Sequence, residues 1–242
     1  MDPALATRPR LSRAGERRLY AAAAVVALAL VFAGFARTYY LRSAFDGPPL
    51  TLLLYVHGAV MTSWFVLFMV QARLVARGRT DVHRRLGMFG ALLALAVLVM
   101  GTTVAVTGAR LGHAPPGAPA PLVFLAVPLG DMLVFALLVG AALWFRRRSD
   151  VHKRLMLLGC IGVLTAAIAR IPLTLMREGG IIAAFSTTLV LVLACAAWDT
   201  IAHRRLHPAF GWGAGLIVVS WPLRLALSQT PQWLEFARWL AS

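Results

Sequence analysis

Long apolar runs alternate with short charged or Pro- and Gly-containing connections along most of the chain. A helix needs about 20 apolar residues to cross a hydrocarbon core about 30 Å thick. Cutting the chain where charges and Pro/Gly clusters interrupt the runs predicts seven spanning helices, at residues 19–37, 50–74, 86–109, 121–145, 155–176, 181–202 and 209–227. The connections are too short for a separate soluble domain, so we expect one all-α polytopic transmembrane bundle over residues 19–227.

The segments on either side of this bundle differ in character. Residues 1–18 contain five arginines and are expected to form a basic cytoplasmic tail. Residues 228–242 place Trp233, Phe236 and Trp239 at helical spacing. Such a pattern is typical of an amphipathic helix lying in the membrane interface. We expect this helix to serve as an aromatic membrane anchor or, alternatively, as a docking surface for a partner subunit.

The composition indicates a membrane protein and argues against a nucleic-acid-binding one. Of 242 residues, 60% are hydrophobic and 14% are charged, and 24 Lys and Arg against 9 Asp and Glu give a net charge of +15. The charges interrupt apolar runs instead of forming a polar face studded with aromatic residues, so no nucleic acid partner is expected. The expected partners are membrane lipids and other membrane protein subunits.

Most basic residues fall in alternate connections: the N-terminal tail and the second-to-third, fourth-to-fifth and sixth-to-seventh loops. Positive residues are retained on the cytoplasmic side during insertion. We therefore expect a bacterial inner (cytoplasmic) membrane protein with a cytoplasmic N-terminus and a periplasmic C-terminus. The first segment also fits a secretory signal, with Gly34 and Ala36 as a small-residue pair, but we expect it to be retained as a helix.

One motif occurs twice and has a third, looser echo. Thr-Asp-Val-His-Arg-Arg-Leu at residues 80–86 recurs 69 positions later as Ser-Asp-Val-His-Lys-Arg-Leu at 149–155, and Ala-His-Arg-Arg-Leu follows at 202–206. The spacing predicts one leading helix followed by three parallel-repeat hairpins. We expect Asp81 and Asp150 to be N-caps of the third and fifth helices, and the basic residues after them to extend toward lipid phosphates.

Neither capping nor charge retention explains the histidine in this motif. His83, His152, His203 and His207 all fall at cytoplasmic helix ends in the predicted topology, and three imidazoles are enough for an open zinc site. Against such a site, nearby arginines repel a cation and no cysteine or carboxylate completes a known metal signature. We therefore predict no metal site and expect the histidines to contact loop carbonyls, lipid headgroups or a partner protein. The alternative is a metal site formed by these four histidines.

Four ionisable residues lie within predicted spans, where charge is costly and often functional. They are His57, Asp131, Arg170 and Arg224, all placed in the outer half of the bundle. In the structural interpretation, Asp131 pairs with Arg170 or Arg224, and the other arginine bonds carbonyls freed by a nearby proline or extends outward to the membrane surface. In the functional interpretation, the four residues form a pocket for an anionic or lipidic ligand.

Missing residue types and motifs argue against several classes of protein. The only lysine, Lys153, is in a predicted loop, which excludes a retinal Schiff base within the membrane. Of the histidines, only His57 is predicted to be buried, which excludes a bis-histidine haem in the bilayer but leaves His57 as a possible single ligand of a pigment or porphyrin. No phosphate-binding loop, nucleophile elbow or HExxH sequence occurs, so no catalytic residue is assigned and the bound cofactor is unknown.

The stretch from His57-Gly58 to His83-Arg84-Arg85-Leu86-Gly87, followed by His152-Lys153-Arg154-Leu155-Met156, resembles a group of uncharacterised bacterial multi-pass membrane proteins. The resemblance covers most of the chain. The shorter His-Lys-Arg-Leu-Met stretch is also similar to membrane proteins that assist cytochrome oxidase assembly. Neither resemblance implies an assigned reaction.

Three functions remain as expectations. The first is a non-enzymatic accessory or assembly subunit of a larger membrane complex, such as a respiratory or photosynthetic one. The second is a binding or transport protein that uses the outer-half pocket, and the third is a cofactor-bearing membrane protein that holds a porphyrin, a pigment or a metal.

Overall fold

The computed structural model describes residues 13–47, 49–115 and 117–242, and every regular element within these ranges is helical. Seven helical segments are long and apolar enough to cross a membrane. The predicted all-α polytopic fold is therefore confirmed, and the chain is a multi-pass membrane protein. Most of the predicted basic tail, residues 1–12, lies outside the described residues.

We number the seven spans in chain order. The first comprises Arg13–Phe35 and a π-helical turn Ala36–Tyr40, the second Leu52–Ala76, the third Thr80–Arg110, the fourth Pro121–Phe124 and Ala126–Trp144, the fifth Ser149–Gly162 and Thr165–Ile168, the sixth Thr174–His203, and the seventh Pro208–Ser228. A 3₁₀ turn, Arg42–Phe45, follows the first span, and Pro231–Ala241, the C-terminal helix, ends the described chain.

Local sequence accounts for several helix starts. Pro121, Pro208 and Pro231 occupy the first turn of their helices, where the missing N–H costs nothing. Thr51 and Thr230 cap the second span and the C-terminal helix by accepting hydrogen bonds from main-chain N–H groups. The first helix begins at Arg13, so part of the segment predicted as a tail is already helical.

The fifth span lies at the centre of the bundle. In its most apolar 18-residue window 67% of residues are buried, against 11% in the second span. It packs against the first, fourth, sixth and seventh spans, whereas the second packs against the first and third. We call the end of the bundle with the second-to-third, fourth-to-fifth and sixth-to-seventh connections the basic end, and the other the opposite end.

The fifth span is shorter than the predicted segment 155–176. It ends at Ile168, and Arg170 consequently lies in the connection that follows instead of two turns inside the span. Pro172 explains the difference, because it has no N–H and disfavours helical geometry at the preceding residue. Gly180, at φ 51° and ψ −136°, separates a short helical start at Thr174 from the main sixth helix, in agreement with the predicted start at residue 181.

The two full copies of the motif are structurally equivalent, but the echo is not. The third and fifth spans begin at Thr80 and Ser149, so Asp81 and Asp150 lie in the first helical turn and not at the predicted N-cap position. Their carboxylates still lie near the positive end of the helix dipole. The echo instead ends the sixth span at His203, because the seventh helix begins at a proline five residues later.

The C-terminal helix is amphipathic, as predicted. Trp233 and Ala237 face the third and fourth spans, and the Trp233 indole N–H donates to the Leu122 carbonyl at 2.9 Å. Phe236 and Trp239 face outward and are 45% and 70% exposed. The position of this helix in the membrane interface stays a prediction.

Candidate functional site

An ion pair joins the fourth and seventh spans in the half of the bundle toward the opposite end. Arg224 donates to Asp131 at 2.5 Å and also bonds the Val127 carbonyl and the Ser220 hydroxyl. The two charged side chains are only 10% and 15% exposed. Gly130 makes room for the guanidinium, since a Cβ at this position would collide with it. Asp131 therefore neutralises Arg224 in place.

Arg170 has a different environment. It donates to the Ala166 carbonyl at 2.7 Å, and its guanidinium lies over the Phe35 ring at 5.0 Å from the centroid. The Nδ1 atom of His57, in the second span, is buried without a hydrogen-bond partner. A carbonyl and an aromatic face thus hold the Arg170 side chain in place.

Of the four predicted ligand-binding residues, the structure joins Asp131 and Arg224 in an ion pair, whereas no hydrogen bond or ion pair among the described residues joins His57 to Arg170. The Asp131–Arg224 pair agrees with the structural interpretation. Arg170 bonds the Ala166 carbonyl, whereas the carbonyl four residues before Pro172, that of Ile168, accepts from the Ile171 N–H. Binding of an anionic or lipidic ligand here, and ligation of a pigment or porphyrin by His57, stay predictions.

At the basic end, the equivalent histidines of the two motif copies meet. The ring centroids of His83 and His152 are 6.3 Å apart, with an interplanar angle of 76°. Nδ1 of His152 lies 2.8 Å from the Ala142 carbonyl oxygen. Because a carbonyl only accepts hydrogen bonds, Nδ1 carries the proton, and Nε2 of the neutral ring keeps its lone pair. Nδ1 of His83 is buried and has no hydrogen-bond partner.

Gln71, from the end of the second span, contributes to the same region. Its amide nitrogen donates to the His83 carbonyl at 3.2 Å, and its Oε1 is buried without a hydrogen-bond partner. Buried polar atoms without partners are uncommon because they lose their bonds to water. Two residues in direct contact, Gln71 and His83, each carry such an atom.

A second group of polar side chains, which we call the ionic cluster, joins the first, fifth and sixth spans at the basic end. It consists of Glu16, Lys153, Arg154, Asp199 and His203. Arg154 and Asp199 are 2% and 1% exposed, and the guanidinium bonds both carboxylate oxygens at 2.6 to 3.0 Å. Lys153 donates to Glu16 at 2.5 Å. The expectation that these basic residues extend toward lipid phosphates is wrong for Arg154, because the central fifth span holds it inside the protein.

Glu16, Asp199 and His203 also have ligand atoms within 4.8 Å of one another, close enough to share a metal ion. However, the two carboxylates already neutralise Lys153 and Arg154. A metal ion would have to displace these cations or share the carboxylates with them. The ionic cluster is therefore better suited to holding three spans together than to binding a cation.

The four histidines of the predicted alternative metal site do not form one centre. His83 and His152 are adjacent, whereas His203 bonds the Asp199 carbonyl at 2.8 Å within the ionic cluster. His207 lies 3.2 Å from the Asp150 carboxylate and also caps the seventh span. His152 and His203 both contact main-chain carbonyls, but these carbonyls lie in the last turns of the fourth and sixth spans and not, as was expected, in loops.

Sequence reasoning missed Glu16, Gln71 and Asp199 as site residues. Asp199 carried a usable signal, because it lies inside the predicted span 181–202 and meets the same criterion that selected Asp131. Glu16 was hidden among the arginines of the predicted tail, and a neutral glutamine at a span end carries no such signal.

No protein-family model matches the chain, and no curated protein and no solved structure matches it.

Proposed function

We propose that this multi-pass membrane protein binds a transition-metal ion between His83 and His152. The observation that carries the proposal is the meeting of the two motif histidines, together with the buried Nδ1 of His83 that has no hydrogen-bond partner. The motif's aspartates lie in the first turns of helices, and the basic residues of the second copy form ion pairs. Only the imidazoles need a separate explanation.

The spacing of the rings suits a shared ion. Metal–nitrogen bonds of about 2 Å, plus about 1 Å from each nitrogen to its ring centre, place two ligating imidazole centroids about 5 Å apart at a tetrahedral N–metal–N angle and about 6 Å apart at a linear one. The observed separation is 6.3 Å. The Ala142 carbonyl fixes the tautomer and orientation of His152, as carbonyls commonly do for metal-binding histidines.

The chemistry of the ligands narrows the choice of metal. Imidazole suits zinc, copper, nickel and iron, and the general order of affinities among divalent ions peaks at copper. Gln71, whose amide nitrogen bonds the His83 carbonyl, also carries a buried Oε1 without a hydrogen-bond partner, which is a further candidate oxygen ligand. Arg84, next to His83 in the chain, would repel a metal ion. Its side chain is exposed, however, so that its charge is screened by the surrounding solution.

Metal titration of protein purified without a polyhistidine tag tests this proposal. Cu²⁺, Zn²⁺ and Ni²⁺ are added separately, unbound ions are removed by gel filtration, and bound metal is measured by elemental analysis. His83→Ala and His152→Ala should each abolish binding, whereas His113→Ala, the same change at an exposed histidine of the opposite end, should not. Unchanged binding in His83→Ala refutes the proposal, and loss only in His203→Ala places the ion in the ionic cluster instead.

A second function, an accessory or assembly subunit of a larger membrane complex, is favoured by the C-terminal helix. Trp233 anchors this helix to the fourth span, and yet Phe236 and Trp239 form an exposed aromatic pair with ring centroids 5.9 Å apart. Aromatic residues are enriched where proteins meet. Native electrophoresis of membranes in mild detergent should show a complex that Phe236→Ala/Trp239→Ala dissociates, and migration of the unmodified protein as a monomer or homo-oligomer argues against this function.

The proposed location is the inner membrane of a bacterium, with the basic end in the cytoplasm. The exposed arginines of the alternate connections support this orientation, because positive residues favour the cytoplasmic side.

A further inference from the structure

A groove of about 550 Å³ lies between the fourth, fifth and seventh spans at the basic end. Leu137, Ala141 and Phe145 line it from the fourth span, and Trp212 and Leu216 line it from the seventh. These side chains are apolar, so the interior of the groove offers no site for a small hydrated anion.

The length of the groove matches one leaflet of a bilayer. Leu137 to Phe145 and Pro208 to Leu216 each cover eight helical steps, which is about 12 Å at about 1.5 Å per residue. One leaflet contributes about 15 Å of hydrocarbon. The groove therefore runs from the basic end toward the middle of the membrane.

The mouth of the groove is positively charged. Arg148 lines it and follows two further arginines in the chain. Asp150, the one carboxylate among the described residues that line the groove, has its own partner in His207. The imidazole accepts the Ala209 N–H through Nδ1 at 3.2 Å, so Nε2 carries the proton and donates to Asp150 at 3.2 Å. Among the residues that the structure describes, Arg148 therefore has no carboxylate partner at the mouth.

The geometry points to an anionic phospholipid as the occupant of this groove, with an acyl chain along the apolar walls and the phosphate at Arg148. An apolar groove that is one leaflet deep and has a cationic mouth is complementary to such a lipid in both shape and charge. Trp212, 83% exposed at the rim, is placed as tryptophans at headgroup level are. This inference does not depend on the metal site.

Native mass spectrometry of the detergent-solubilised protein tests the inference. The protein is titrated with phosphatidylglycerol and with phosphatidylcholine of the same acyl chains, and the apparent affinity for the first bound lipid is compared. Phosphatidylglycerol should bind more tightly, and Arg148→Gln should weaken it about fivefold, the effect of losing about 1 kcal/mol for one basic residue at a membrane surface. Arg77→Gln, the same change at an exposed arginine of another connection at the basic end, is the control.

A second pair of variants tests the groove itself. Ala141→Trp fills it, whereas Gly140→Trp adds the same side chain at the neighbouring position, which is exposed and has open space around it. The inference requires that Ala141→Trp lose the tight lipid and Gly140→Trp keep it, with both proteins retaining the helical circular dichroism spectrum. Equal affinity for the two lipids, or equal effects within either variant pair, overturns it.

Discussion

The arginine at the sixth position of the repeated motif shows that the role of a residue depends on its environment in the fold. Arg85 in the first copy is exposed, whereas Arg154 in the second is 2% exposed and bonds Asp199 through both carboxylate oxygens. The third span lies at the periphery and the fifth at the centre, so the same arginine meets solvent in one copy and a carboxylate in the other. A buried pair of this kind is costly to break, because either partner alone is an uncompensated charge.

Asp199→Asn should therefore lower the free energy of unfolding by about 3–5 kcal/mol, the usual effect of breaking a buried ion pair. The measurement is thermal unfolding of the purified protein in detergent. Asp81→Asn is the matched control, since Asp81 and Arg79 are 66% and 62% exposed and 3.8 Å apart. An exposed pair of this kind contributes about 0–1 kcal/mol.

Removing both charges distinguishes the loss of the ion pair from a change in side-chain packing. The double variant Arg154→Met/Asp199→Leu should recover most of the lost stability, because no unpaired charge remains inside the protein. If Asp199→Asn were as stable as Asp81→Asn, the Arg154–Asp199 pair would not be the stabilising contact inferred here.

At the scale of the elements, close approach of helices puts the fifth span at the centre. Gly34 of the first span lies against the main chain of Ala167 in the fifth, where a Cβ would overlap backbone atoms. Small residues let membrane helices approach closely, so that van der Waals contact and polar bonds hold them together. At the other end of the same two spans, Glu16 forms an ion pair with Lys153.

Gly34→Ala should lower the free energy of unfolding by about 1–3 kcal/mol, because the added methyl group meets backbone that cannot rotate away. Gly140→Ala is the control. It has no neighbour within 4 Å of an added Cβ, and the better helix propensity of alanine should raise stability by up to about 1 kcal/mol. Thermal unfolding in detergent measures both, and a Gly34→Ala protein as stable as Gly140→Ala contradicts the close contact.

At the scale of the whole molecule, seven spans place the two ends of the helical chain on opposite sides of the membrane. The basic connections all lie at one end, so the orientation proposed from the arginines applies to the bundle as a unit. The two adjacent histidines, the ionic cluster and the groove are all at this same end.

Labelling of introduced cysteines tests the orientation in intact cells. In a variant without Cys160 and Cys195, Ser43→Cys at the opposite end should react with a membrane-impermeant maleimide, and Ser149→Cys at the basic end should not. Both positions are exposed in the structure. Both should react after permeabilisation, and labelling of Ser149→Cys alone in intact cells would reverse the orientation.

The sequence by itself determined the seven spans and the grouping of basic residues at one end, because apolar length and loop charge are local properties of the chain. It also identified Asp131 and Arg224 as buried charges and the motif histidines as unexplained. The predicted end of the fifth span at residue 176 was wrong, because Pro172 ends the helix earlier than apolar length alone predicts.

Only the tertiary structure decided which groups meet. Asp131 pairs with Arg224 and not with Arg170, Arg154 pairs with Asp199, and His83 meets His152. Each pairing depends on which helices are neighbours, and in a membrane this is set by close packing such as that of Gly34 on Ala167. Hydropathy is nearly the same on every face of these spans, so the order of helices around the fifth span has no local signal in the sequence.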